Sequence, residues 1–115
     1  MKLQAMIVAI GALALAAPGR GVAECDPLNG PAFKAMEAYS RCTEGYARAY
    51  SRSRDSARDV AIAAVESCGT EMAAQWVESN KCRPGSFDQE QEKGVKEATE
   101  RSLIRLVVSL RAQGH

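Results

Sequence analysis

The sequence predicts an all-α domain: an antiparallel hairpin of two helices, stapled by disulfides, with a third helix packed on it. Three observations carry that prediction. The first is the stretch Ala57 to Trp76. Its small and apolar residues are Ala57, Val60, Ala61, Ala64, Val65, Cys68, Met72 and Trp76, in steps of three and four that place them on one face of a helix. The second is an even set of cysteines, Cys25, Cys42, Cys68 and Cys82, downstream of what reads as an export leader. The third is that no stretch shows the period-two alternation of a strand.

The leader has a charged start (Lys2), an apolar run from Leu3 to Ala17 and a small-residue exit through Gly21 and Ala23. This is the layout of a secretory signal peptide, and the run is shorter than the ~20 residues a membrane-spanning helix needs. Cleavage after Ala23 is expected, with an earlier cut near Ala16 or Ala17 as the alternative. The acidic Glu24 before Cys25 argues against lipidation, so no stable membrane anchor is expected once the leader is removed. Removing residues 1–23 from the 115-residue chain leaves 92 residues with 13 basic and 14 acidic side chains. Near-neutrality offers nothing to hold nucleic acid. A chain of this size forms one domain, residues 24–115, whose core alone gives only a few kcal/mol, so covalent staples are expected.

Residues 25–31 (Cys-Asp-Pro-Leu-Asn-Gly-Pro) form a loop, with Pro31 suited to the first turn of a helix. The first helix is expected over about 32–52. It offers a bulky face (Phe33, Met36, Tyr39, Tyr46, Tyr50) and a seam of small residues (Ala35, Ala38, Cys42, Gly45, Ala49). Gly45 costs ~1 kcal/mol relative to Ala in a helix interior, which points to close approach of another backbone. The serine- and arginine-rich join Ser51–Ser56 reads as a turn, with Ser56 and Asp59 as a capping pair for a second helix over about 55–79. Gly69 is a possible kink. A third helix is expected over about 87–112, capped by Ser86 with Gln89. Its inner face is Val95, Ala98, Thr99, Ser102, Leu103, Leu106 and Leu110, with Arg111 complementing the dipole at its end.

An even cysteine count in a small exported chain reads as two disulfides. Separations of 17, 26 and 14 residues contain no close pair to start a zinc site, so no metal is expected. Antiparallel helices pair positions whose numbers share a constant sum. Cys42 with Cys68 and Cys25 with Cys82 both centre the turn in the serine–arginine join, as nested rungs of one hairpin. The local alternative, Cys25–Cys42 with Cys68–Cys82, places Cys68 about 16 Å of helix from the end of the second helix. A three-residue return loop reaches only ~10 Å, an objection that weakens if Gly69 ends the helix.

Candidates for chemistry are few. The single histidine, His115, is the last residue, where no base can be oriented. There is no glycine-rich phosphate loop, so no cofactor is expected. Glu37 with Glu44, and Glu71 with Glu78, are spaced for acid–base work, although helical carboxylates usually form a solvated face. Arg48, Arg52, Arg54 and Arg58 crowd the hairpin tip. They suit a phosphate, an anionic glycan or an acidic protein surface; the simpler reading is a solvated tip with Asp55 and Asp59 as local partners. Tyr39, Tyr46 and Tyr50 at helical spacing are expected in the core against the third helix, with a binding stripe as the alternative, and Trp76 reads the same way. On the third helix, Ile104 and Val108 should project away from the inner face, either as ordinary surface or as a contact patch for a homodimer or protein partner.

Over Ala32–Ser79 the cysteine placement and alanine richness resemble small exported bacterial proteins in which two cysteines staple a helical hairpin. They are loosely similar to the cysteine-bearing helical domains of bacterial lysozyme inhibitors. That resemblance carries no functional residue across. The expected function is a non-enzymatic binding or structural module of the bacterial envelope, periplasmic or secreted. The alternatives are an inhibitor of an exported hydrolase and a small envelope enzyme using helical carboxylates.

Overall fold

The computed structural model describes residues 25–114; residues 1–24, which include the expected leader and its exit, and His115 lie outside the described residues. Four helices follow in order: α1 (Pro31–Ala49), α2 (Ala57–Ser67), α3 (Gly69–Cys82) and α4 (Gln89–Ala112). Among the described residues there is no strand, as expected of an all-α fold. α1 packs on all three other helices, and α2 packs on α4. α1 and α4 both run toward the tip at Ser51–Asp55, while α2 and α3 run away from it.

The second helix of the sequence reading is two helices. Cys68 takes φ −104° and ψ 32°, and its N–H reaches back to Val65 O at 3.3 Å, which tightens and ends α2. Gly69 opens α3, which continues to Cys82. The break does not scatter the apolar stripe. Val60, Ala61, Ala64, Val65, Cys68 and Met72 are all buried, and Ala57 and Trp76 are partly so. The stripe feeds two clusters. Ala47, Val60, Ala61, Ala64, Val65, Leu103 and Val107 form the one nearer the tip. Tyr39, Cys68, Met72 and Phe87, flanked by Cys42, Trp76 and Val95, form the other.

Both disulfides of the hairpin register are present. Cys42–Cys68 joins α1 to the α2–α3 break with Cα atoms 6.0 Å apart. Cys25–Cys82 ties the first loop to the end of α3 with Cα atoms 5.0 Å apart.

Three expectations about faces and caps are corrected. Ala38, Gly45 and Ala49 are exposed, and nothing lies within 4 Å of where a Cβ on Gly45 would stand. α1 faces three helices rather than one. Its buried arc therefore centres on Ala35, Tyr39, Thr43 and Ala47, between the two predicted faces, and leaves Cys42 at the margin. On α4 the inner line is Leu103 and Val107, while Ala98 and Ser102 are exposed. The helix lies across both α1 and α2, so Leu106 on one flank and Ile104 on the other are partly covered by the tip-side cluster. Ile104 is thus half covered rather than fully outward as helical phase indicated, whereas Val108 remains 54 % exposed.

The cap of α4 is Asp88, whose carboxylate accepts from Gln91 N–H at 2.9 Å, rather than Ser86. Asn80 explains the shift. Its Oδ1 accepts from Phe87 N–H at 3.0 Å, and its Nδ2 donates to Phe87 O at 2.9 Å and to Trp76 O at 3.0 Å. Held this way, Phe87 plugs the second cluster edge-on to Trp76, centroids 5.4 Å apart, and the helix starts after it. At the other starts, Ser56 accepts from Asp59 N–H at 3.0 Å and Pro31 occupies the first turn of α1, both as expected.

Tyr39 is 2 % exposed, and its hydroxyl makes no hydrogen bond of good geometry. Burial holds its phenol above the ordinary value of 10.0; the Thr99 side chain opposes this, and the carboxylates of Glu100 and Glu92 add to it. A group whose folded value is raised contributes stability that is full below the unfolded value and is lost as pH climbs above it. Tyr39→Phe should therefore leave neutral-pH stability nearly unchanged and flatten the loss of stability above about pH 10. Melting temperatures of both proteins across the alkaline range check this; parallel curves would refute it.

Candidate functional site: the arginine tip

The tip is a six-residue connection, residues 50–56 less its capping serine, with no glycine or proline to shape it. Ser53 N–H donates to Tyr50 O at 3.1 Å, and the rest of the loop's shape is held from outside. Arg111, one residue from the end of α4, donates from Nε to Ser51 O at 2.6 Å. Its Nη2 donates to Ser53 O at 3.1 Å and to Asp55 O at 2.6 Å. One planar guanidinium thus satisfies three carbonyls that the sequence cannot satisfy locally. Ser51 is buried, and its hydroxyl donates to Arg48 O at 3.0 Å, closing the end of α1.

Arg48, Arg52, Arg54 and Arg58 are all exposed around this clamped loop. Asp55 and Asp59 are not their partners. Among the described residues the ion pairs are Glu37–Arg41, Glu78–Lys81 and Glu92–Lys96, all away from the tip. The tip therefore presents four guanidiniums with no carboxylate within ion-pair distance. Asp59 instead uses its backbone N–H to complete the Ser56 cap. Beside the arginines, Arg52, Ser53, Leu110 and Arg111 line a cleft of about 320 Å³. Tyr50, expected in the core, is 51 % exposed at the tip and stacks on Tyr46 with ring centroids 4.4 Å apart. The site thus combines cationic forks, an aromatic face and a shallow apolar wall.

The remaining candidates lie elsewhere. Glu37 and Glu78 are engaged with Arg41 and Lys81 at 3.7 and 3.3 Å, and none of Glu37, Glu44, Glu71 and Glu78 lines the cleft at the tip. Cys42, Cys68 and Glu71 bring ligand atoms within 4.8 Å of one another, but the two sulfurs are bonded to each other and have no lone thiolate to offer a metal. No helix of the described residues is long and apolar enough to cross a membrane.

Arg111 is the site residue that sequence reasoning placed in another role, and Tyr50 takes the exposed position that was its alternative to the core. The available signal for Arg111 was the join itself: a turn without glycine, proline or enough self-capping side chains needs donors from another element.

No protein-family model, no curated protein and no solved structure matches this chain. The two disulfides are the chemistry of an oxidising, extracytoplasmic environment.

Arg111→Met keeps the stem of the side chain and removes the fork. It should cost roughly 1.5–3 kcal/mol of stability, the range for hydrogen bonds from a charged donor to partly buried groups. Amide exchange should accelerate over residues 51–56. Arg111→Lys should recover little, since an ammonium does not span three carbonyls. Denaturant titration with hydrogen-exchange mapping checks both, and a Lys variant as stable as the parent would contradict the clamp.

Proposed function

We propose that the protein is an exported, non-enzymatic binding module of the bacterial envelope that docks its arginine tip on an acidic protein surface. The observation that carries this reading is the set of four exposed, carboxylate-free guanidiniums on a loop held rigid by Arg111. Recognition by a pre-shaped loop avoids the entropy of ordering it on binding. Arginine forks match carboxylates in two-point contacts, and exposed Tyr50 adds an aromatic anchor of the kind that dominates protein interfaces. The spread of the arginines over the end of α1, the loop and the start of α2 fits an extended surface better than a single phosphate.

A second reading, inhibition of an exported hydrolase, rests on the same feature. A rigid projecting loop on a disulfide-stapled scaffold is suited to occupying an enzyme cleft without rearranging. The two readings differ in whether the partner loses activity when bound.

The test is capture from an envelope extract by the immobilised oxidised protein and by a variant carrying Arg48→Gln, Arg52→Gln, Arg54→Gln and Arg58→Gln. The expected result is a stoichiometric protein partner retained by the parent, released by raised salt and lost from the variant, with melting temperature unchanged. Equal capture by both proteins would overturn the proposal. Hydrolase assays on the captured partner, with and without the module, separate inhibition from docking.

A further inference from the structure

We infer that the outer stripe of α4 is a self-complementary interface through which two copies of the chain pair as an antiparallel dimer. Gly94, Glu97, Ala98, Arg101, Ile104, Arg105 and Val108 recur in steps of three and four along the helix. All but half-buried Ile104 are exposed, on a single stripe. Two features of the stripe are left unused within one chain. Gly94 sits in the interior of a helix, at ~1 kcal/mol less favourable than alanine. Nothing lies within 4 Å of where its Cβ would stand, so no neighbour in the monomer requires a glycine there. Glu97 and Arg105 form no ion pair among the described residues.

A two-fold axis through Arg101 accounts for both. In that antiparallel register Val108, 54 % exposed, lies over the second copy's Gly94, where the missing side chain leaves room for it. Ile104 lies over the second copy's Ala98, again large against small. Glu97 faces the second copy's Arg105, and symmetry makes each of these contacts twice. Arg101 meets its own copy at the axis, with a Glu97 one helical turn away on either side. The pattern is the one antiparallel helix pairs use: small residues opposite large ones, and charges that specify orientation. Arg58 and Glu100 border the same side, with Ile62 and Ile104 between them, in a cleft of about 280 Å³ that continues the stripe toward α2. Of the four tip arginines only Arg58 borders the stripe, and the variants below leave all four in place, so this inference is tested separately from the proposed docking function.

The test is sedimentation of the oxidised protein and three variants: Glu97→Arg, Arg105→Glu and the double exchange. Both positions are exposed and unpaired, so circular dichroism and melting of the variants at low concentration should match the parent. The parent should show concentration-dependent dimerisation. Each single reversal breaks two symmetric contacts and should weaken association by more than about tenfold. The double exchange should restore it to within about threefold of the parent, because the pairs are remade with their signs reversed. A parent that stays monomeric at the highest attainable concentration overturns the inference. So does a dimer indifferent to the single changes, or a double exchange that fails to restore what they remove.

Discussion

A disulfide needs two Cα atoms within about 7 Å, and packed helix axes ordinarily stand 8–10 Å apart. Much of this structure follows from how the Cys42–Cys68 bond meets that demand at 6.0 Å. Cys68 lies where α2 ends and α3 begins, on a backbone released from helical geometry, and it is fully buried in the cluster of Tyr39, Met72 and Phe87. Cys42 approaches from the margin of the buried arc of α1. The bond thus fixes the register of the hairpin at its middle. On the chain-entropy model, closing a loop of this size contributes about 3–4 kcal/mol, a large share of what a domain this small can hold. The second bridge, Cys25–Cys82, ties down the open end and keeps the proline-containing first loop against α3.

With the hairpin fixed, α4 has one place to lie, and both of its ends are secured by contacts distant in sequence. At its start, Asn80 grips the backbone of Phe87 on both sides, and Trp76 Nε1 donates to Glu92 at 2.6 Å. At its end, Arg111 holds the carbonyls of the tip. The exposed arginines are therefore carried by a loop whose shape depends on α4 as well as on its own short turns. That dependence links scaffold to function: the cationic surface is only as rigid as the packing of Leu103 and Val107 behind it.

What the sequence made legible was whatever depends on one helix alone. The stripe from Ala57 to Trp76, the Ser56 cap, the proline at the start of α1 and the nested cysteine pairs are all consequences of local period or of a single sum rule. What it left illegible depends on how many neighbours a helix has. Gly45 looked like a point of close approach because a two-helix seam was assumed. With three helices around α1, the buried arc shifts to Tyr39 and Thr43 and Gly45 faces outward. Ile104 was misplaced for the same reason, because α4 touches two helices and covers one flank more than phase alone predicts. The arginine tip was visible as composition, but its significance was not. Asp55 and Asp59 sit close enough in sequence to neutralise it, and only the folded loop reveals that they do not. Asn80 and Arg111 gave no motif, since side chains that satisfy another segment's backbone leave no periodic trace.

The central claim is the hairpin register, because the core clusters, the tip and the outer stripe of α4 all inherit their positions from it. Peptide mapping of the oxidised protein without reduction tests it most directly. The account predicts one linked peptide pair containing Cys42 with Cys68 and another containing Cys25 with Cys82. A linked pair containing Cys25 with Cys42, or Cys68 with Cys82, would contradict the register and everything placed by it.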